Sequence, residues 1–218
     1  MAFLNTTLRS GYITDLVLPP AKPGQDPNAI LQEGLSAIYA SIHDPKTMIT
    51  LNPLVQDVKQ IASSDSKAVD HQTLAPSFGV DLNAPYLAPS STQDNSNAPS
   101  SSPYGFNHFE ILDKLNLAFG FTQNLIYHAA IRPTRWGMEA FTNAGSGVTI
   151  FGRWEIKVAD NGRVINIIEK NEIRCNVVVS WYINRTVDKS HAETHARLKA
   201  KWISDMKAKG YDYSVVGA

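Results

Sequence analysis

Three side chains able to move a proton stand where the apolar pattern of this sequence expects hydrocarbon. Asp113 interrupts the alternating series Phe109, Ile111, Leu115 and Leu117, and His191 and His195 share a helical stripe with Val187, Leu198, Trp202 and Met206. If the series faces the interior, the carboxylate faces it too. An ionised carboxylate buried alone is costly, so Asp113 is expected to be paired, wetted by a cavity or protonated. A histidine oriented by a carboxylate is a general acid/base unit, worth roughly 10²–10⁴-fold in rate when well placed. The catalytic candidates are therefore His191, His195 and Asp113, with either imidazole as base or acid and the carboxylate orienting it. Tyr127 and Thr142 can add hydroxyls, whereas Tyr182 is predicted to point outward. A blander account stands beside each. Asp113 turns to solvent through a strand irregularity or makes a purely structural pair, and the histidines only bond backbone carbonyls.

Other motifs carry less. Gly145-Ser146-Gly147 lacks the spacing of a nucleophile elbow, and Ile150 stands where a dinucleotide fingerprint needs its third glycine, so the run reads as a turn. His191 and His195 lie at i and i+4, but a zincin motif needs glutamate directly after the first histidine, and Ala192 occupies that position. Neither a metal nor a cofactor is expected. Cys175, the single cysteine, reads as a small core residue on an inward strand position, able to form neither an internal disulfide nor a thiolate zinc cage.

These side chains need a scaffold. Residues 8–17 read as a strand, ended by Pro19, Pro20, Pro23 and Gly24. Ile30, Leu31, Leu35, Ile38, Tyr39 and Ile42 then recur at helical spacing, behind an Asp26 N-cap and Pro27 at the first helical position. His43-Asp44-Pro45 ends that helix, and a short segment leads into a strand at 55–62. Residues 63–105 are rich in Ser and Pro and read as a long inserted loop, partly disordered, tacked down by Phe78, Tyr86 and Leu87. A lid over a pocket is the sharper reading of the same stretch. Beyond it the period becomes two, through Phe119, through Leu125 to Ile131, Trp136 to Ala140 and Val148 to Ile156. Asp160-Asn161-Gly162 signals a hairpin, and Ile173, Cys175, Val177, Val179 and Trp181 read as one face of the next strand. A helix predicted over 187–209 closes the chain, with Gly210 as its C-cap.

The expected fold class is α+β: a curved antiparallel sheet gripping a long C-terminal helix, with a shorter helix near the N-terminus, in a single domain over 1–218. Of the 218 residues, 43% are hydrophobic and 18% charged, which allows a real core and excludes a wholly disordered chain. Twenty basic residues balance 20 acidic ones, and that neutrality argues against nucleic acid as a partner. No run approaches the ~20 apolar residues of a membrane span, and no secretory signal is visible at the start. With one cysteine, this points to a cytoplasmic protein without integral membrane association.

Strand, helical segment, antiparallel sheet and long last helix together resemble the START-like or helix-grip superfamily, which includes polyketide cyclases and birch-pollen-allergen-like proteins. More narrowly the chain resembles an uncharacterised fungal group within it. The residues carrying this are His43-Asp44-Pro45, Leu51-Asn52-Pro53-Leu54-Val55, Arg174-Cys175-Asn176, Thr186, His191 and Leu198. The resemblance implies a cavity between sheet and helix for an apolar or polyketide-like small molecule, and it does not imply chemistry. Tyr127, Trp136, Met138, Thr142, Trp154 and Trp202 are the expected substrate-binding walls. The leading reading is a cofactor-free cyclase, isomerase or dehydratase acting on a polyketide- or terpenoid-like metabolite by acid/base chemistry. The alternatives are a non-catalytic carrier or sensor of lipid-like ligands, and an interaction module using the 63–105 loop.

Overall fold

A computed structural model describes residues 4–83, 86, 104–116, 122–159 and 161–213. Its elements in chain order are β1 (Asn5–Val17), α1 (Pro27–Ile42), α2 (Pro45–Leu51), β2 (Val55–Ile61), α3 (His71–Ser77), β3 (Asn107–Asn116), β4 (Thr122–Thr134), β5 (Gly137–Gly145), β6 (Val148–Val158), β7 (Val164–Asn176) and α4 (Val177–Ala208). The strands form one antiparallel sheet in the order β1-β7-β6-β5-β4-β3-β2, so β3 to β7 are a meander and the N-terminal strand returns beside the last one. The helices α1 and α2 bridge the two edges, and α4 lies across the inner face. This is the α+β helix-grip arrangement.

Local chemistry starts the helices. The Asp26 carboxylate accepts from the Asn28 backbone N–H at 2.9 Å, Pro27 takes the first position, and Ile30, Ala37, Ile38 and Ile42 turn inward. Asp44 caps α2 in the same way, accepting from the Lys46 N–H, so Pro45 begins a helix as well as ending one. Trp202 of α4 donates its indole N–H to the Gly34 carbonyl at 2.9 Å. A Cβ on Gly34 would meet Leu18 Cδ2 at 2.7 Å and Ile165 Cδ1 at 3.2 Å, so glycine is what lets α1 and α4 close over the sheet. Trp202 is fully buried in this helix–helix seam and does not line the cavity, which corrects its expected role as a binding wall.

The junction at Asn176 departs from the sequence reading. Alternation through Val177, Val179 and Trp181 predicts a continuing strand, but β7 stops at Asn176 and α4 starts at once, ten residues earlier than expected. Sheet partners decide this. Asn176 pairs with Asn5, the first residue of β1, and Arg174 with Thr149 near the start of β6, so no ladder awaits residue 177. The Asn176 side chain accepts from the Val178 N–H at 2.9 Å and turns the unpaired backbone into a helix.

The second departure lies on the sheet's other face. The 63–105 stretch contains a helix: α3 and its flanks place Val69, Ala75 and Phe106 against Ala130 and Phe141, with Phe78 and Phe151 packed alongside. Arg174 holds this layer down, donating to the Ser77 carbonyl and lying over the Phe78 ring at 4.3 Å. Beneath it Arg132, fully buried, donates to Glu139 Oε2 at 2.7 and 3.0 Å and to the Leu82 carbonyl at 3.0 Å. His108 is buried there with no hydrogen-bond partner among the described residues, and burial with His71 beside it pushes its pKa down to about 4. The expectations for Leu87, Leu117, Phe119 and Asp160 lie outside the described residues.

Candidate functional site

Between the inner sheet face and α4 lies a cavity of about 510 Å³. Its walls are mostly apolar, with Ile111, Ala129, Met138, Ala140, Ile150 and Trp154 contributed by successive strands. Strand alternation puts Tyr127 and Thr142 on the same face, so both reach the lining. Two polar stations interrupt the hydrocarbon, one on β3 and one on β7 with α4.

The β7 station is built around Glu169, which is 1% exposed. Its two carboxylate oxygens take one histidine each: His191 Nδ1 at 2.7 Å and His195 Nε2 at 3.2 Å. An ionised carboxylate only accepts, so each neutral imidazole must donate to it, and that sets both tautomers. His195 then presents its Nδ1 lone pair to Thr14 Oγ1 at 2.7 Å, and its ring stacks on Trp154 with centroids 4.6 Å apart. Both of its nitrogens are spent, and it is buried. His191 differs. It lines the cavity, and its Nε2, bare in this tautomer, has no hydrogen-bond partner among the described residues. Tyr12 flanks the ring at 5.8 Å. Although burial works to raise it, the charge the two histidines carry when protonated and the hydrogen bonds they donate hold the Glu169 carboxyl down at about 2. Asn171 also lines the cavity, and its buried amide nitrogen has no partner among the described residues.

The β3 station is Asp113, 5% exposed and facing the cavity. Its hydrogen-bond partner is the Tyr127 hydroxyl, which donates across a long 3.4 Å. Burial raises its pKa to about 6, against which that weak bond works only slightly. Folding therefore disfavours its ionised form, at a cost fully present at pH 7 and relieved as pH falls through 6 toward 4. Asp113→Asn is expected to stabilise the protein at pH 7.5 by on the order of 2 kcal/mol, the gain vanishing at pH 4 when measured by urea unfolding.

Of the three catalytic candidates, two line the cavity and His195 does not. His191 lines it, His195 braces the wall behind Trp154, and Asp113 stands several strands away, so it does not orient either imidazole. Glu169 does, and sequence reasoning missed it. The signal was present: Ile165, Ile167, Glu169, Asn171, Ile173 and Cys175 alternate inward along β7, and extending that face backward from Ile173 meets the carboxylate. Trp136 is not a wall; it is 59% exposed in the β4–β5 turn, beneath Arg135. That turn needs Gly137, whose φ of 154° leaves a Cβ only 2.1 Å from the Trp154 carbonyl oxygen. Tyr182, expected outside, lines the cavity because it stands on α4 and not on a strand. A depression of similar volume between α1, α2 and α4 is lined by small side chains and by the half-buried Lys201–Asp205 pair, and holds no comparable constellation among the described residues. Among the described residues no group of three or more His, Cys, Asp or Glu is placed to hold a metal, and no helix is long and apolar enough to cross a membrane.

A curved sheet closed on a long helix, with a cavity and a carboxylate–histidine pair between them, defines a helix-grip protein. The chain belongs to the DUF7053 family, a domain of unknown function, whose pattern matches residues 32–204. That span contains Asp113, Glu169, His191 and His195. No curated protein matches the sequence. Among solved structures, Ara h 8.0201 is similar at 7% identity with a TM-score of 0.48, over 91% of this chain and 99% of that one. TTHA0849 from Thermus thermophilus is similar at 8% identity with a TM-score of 0.46, over 91% of this chain and 98% of that one. An uncharacterised protein from Rhizobium leguminosarum matches at 6% identity with a TM-score of 0.39, over 90% and 99% of the two chains.

Proposed function

We propose that the cavity binds an apolar, polyketide- or terpenoid-like metabolite and that the protein transfers a proton within it, as a cofactor-independent isomerase, cyclase or dehydratase. The observation carrying this is the His191–Glu169 pair on the cavity lining, with one nitrogen held by a buried carboxylate and the other without a hydrogen-bond partner among the described residues. In that tautomer Nε2 is the base. It removes a proton from a carbon beside a carbonyl, Glu169 steadies the imidazolium, and the same nitrogen returns the proton elsewhere on the skeleton. A turn of the Asn171 amide exchanges its two ends and offers an N–H to the developing enolate oxygen. Apolar walls keep water out.

Proton transfer of this kind leaves a label. In deuterium oxide, native protein is expected to introduce deuterium beside the carbonyl of a bound apolar ketone, read by mass spectrometry. His191→Ala is expected to slow this roughly 10²–10⁴-fold, with binding retained. Equal labelling by both proteins would remove His191 from the chemistry. A bound ketone that never exchanges would favour the carrier reading, which the exposed apolar first turns of α4 (Val178 and Trp181, each 68% exposed) also support as a place where a lipid-like molecule is handed over.

A further inference from the structure

The β3 station has a charge problem that the rest of the protein does not solve. Asp113 is buried, its partner is one hydroxyl at 3.4 Å, and it makes no ion pair among the described residues. Among the described residues, none that lines the cavity is Lys or Arg. The other carboxylate of the lining, Glu169, already accepts from two histidines. A ligand in this cavity therefore meets one unspent anion and no fixed cation.

We propose that the ligand is an amphiphilic amine, whose ammonium group is held by Asp113 and Tyr127 while its apolar body lies along Ile111, Ala129, Met138 and Ile150 toward His191. This rests on the reading of the cavity as the binding site. An ammonium suits the place better than its rivals. Its N–H groups donate to the Asp113 carboxylate, while the Tyr127 oxygen, which donates its own proton to Asp113, keeps lone pairs to accept another. A hydroxyl supplies a single O–H donor and leaves the carboxylate charge uncompensated in an apolar wall. A fatty-acid carboxylate meets a like charge and finds no cation. The amine also fits the proton chemistry: one end is anchored on β3, and the reacting carbons are presented to His191 across the sheet.

Three probes of one chain length separate these cases: decan-1-amine, decan-1-ol and decanoate, titrated at pH 7.5 by calorimetry and by displacement of Nile red. The amine is expected to bind about tenfold more tightly than the alcohol, because it adds a compensating charge and further N–H donors at the carboxylate, with decanoate weakest. Asp113→Asn, expected to fold at least as stably as the native protein, should bring the amine to the alcohol's affinity and leave the alcohol unchanged. Tyr127→Phe should weaken the amine severalfold. An alcohol that matches the amine on native protein, or an amine preference that survives Asp113→Asn, overturns the assignment while leaving the cavity intact. If none of the three binds and Nile red is not displaced, the cavity reading fails and the amine with it.

Discussion

Glu139→Ala is expected to cost about 3–5 kcal/mol of stability, as removal of one partner from a buried ion pair does, lowering Tm by roughly 10 °C in a chain of this length. Arg132 is fully buried and directs two N–H groups at Glu139 Oε2, while Arg153 directs two at Oε1 from a more exposed position at 2.8 and 3.1 Å. Without Glu139 the Arg132 guanidinium keeps the Leu82 carbonyl and the Phe106 ring at 4.8 Å but has no counter-charge. The loss should also be local. Hydrogen exchange is expected to quicken first in the segment from α3 to Leu82, because Arg132 bonds the 81–82 backbone and adds to what Arg174 and the apolar cluster hold there. Arg132→Met combined with Glu139→Leu should recover most of the stability, since a matched apolar pair carries no desolvation penalty. Recovery absent from the double variant would mean that Arg132 acts through its bonds to the 81–82 backbone and not through the ion pair. Calorimetry on the three proteins decides.

Glu169→Gln is the second large effect, on the order of 3 kcal/mol at pH 7 by the linkage between its depressed pKa and folding. A glutamine has one accepting oxygen for two imidazole donors; its amide N–H₂ then faces the other ring, and one of the two histidines must change tautomer or lose its bond. If His195 turns, Thr14 and the stack on Trp154 are disturbed. If His191 turns, Nε2 carries the proton and ceases to be a base. Deuterium labelling should therefore fall with stability, and unaltered labelling would show that Glu169 serves the fold alone. The pH dependence has a definite sign. A carboxyl held at about 2 when folded and near its ordinary 4.5 when unfolded stabilises fully above the higher value and loses that contribution as pH falls between them. His108 acts in the same direction at higher pH: neutral and buried at about 4 against an ordinary 6.5, it withdraws its support as pH drops through that window. Asp113 opposes both. Between pH 6 and 4 the His108 loss and the Asp113 relief nearly cancel, so stability read by urea unfolding should change little there and decline between 4.5 and 2, and that last decline should be missing from Glu169→Gln.

Much of the scaffold was legible before any coordinates. Asp26, Pro27 and Gly210 act on backbone groups a few residues away, and alternation along β3 to β6 reports which side of a strand meets hydrocarbon, so caps, helix α1, the meander and the inward face of Asp113 could all be read locally. The insertion was misread for a compositional reason. Phe78 was read as an anchor, but the Ser and Pro content concealed Val69 and Ala75, which become core only when Phe106 and Phe141 are brought beneath them. The carboxylate of the site was misassigned for a different one. Pattern placed Asp113 and the histidines on inward faces but carried no information on which strand runs beneath α4; that depends on β1 and β7 lying at the far edge from β3.

What the sequence by itself determined about this protein is the set of faces: which residues turn inward on each strand and helix, because that follows from periods of two and 3.6 and from caps that act at close range. Tertiary structure alone decided the partners. Strand order put Glu169 instead of Asp113 under the histidines, the exhaustion of sheet partners at Asn176 turned a strand pattern into helix, and the packing of α1 on α4 drew Trp202 away from the cavity. Each of these is a contact between residues far apart in the chain, and no local preference encodes it.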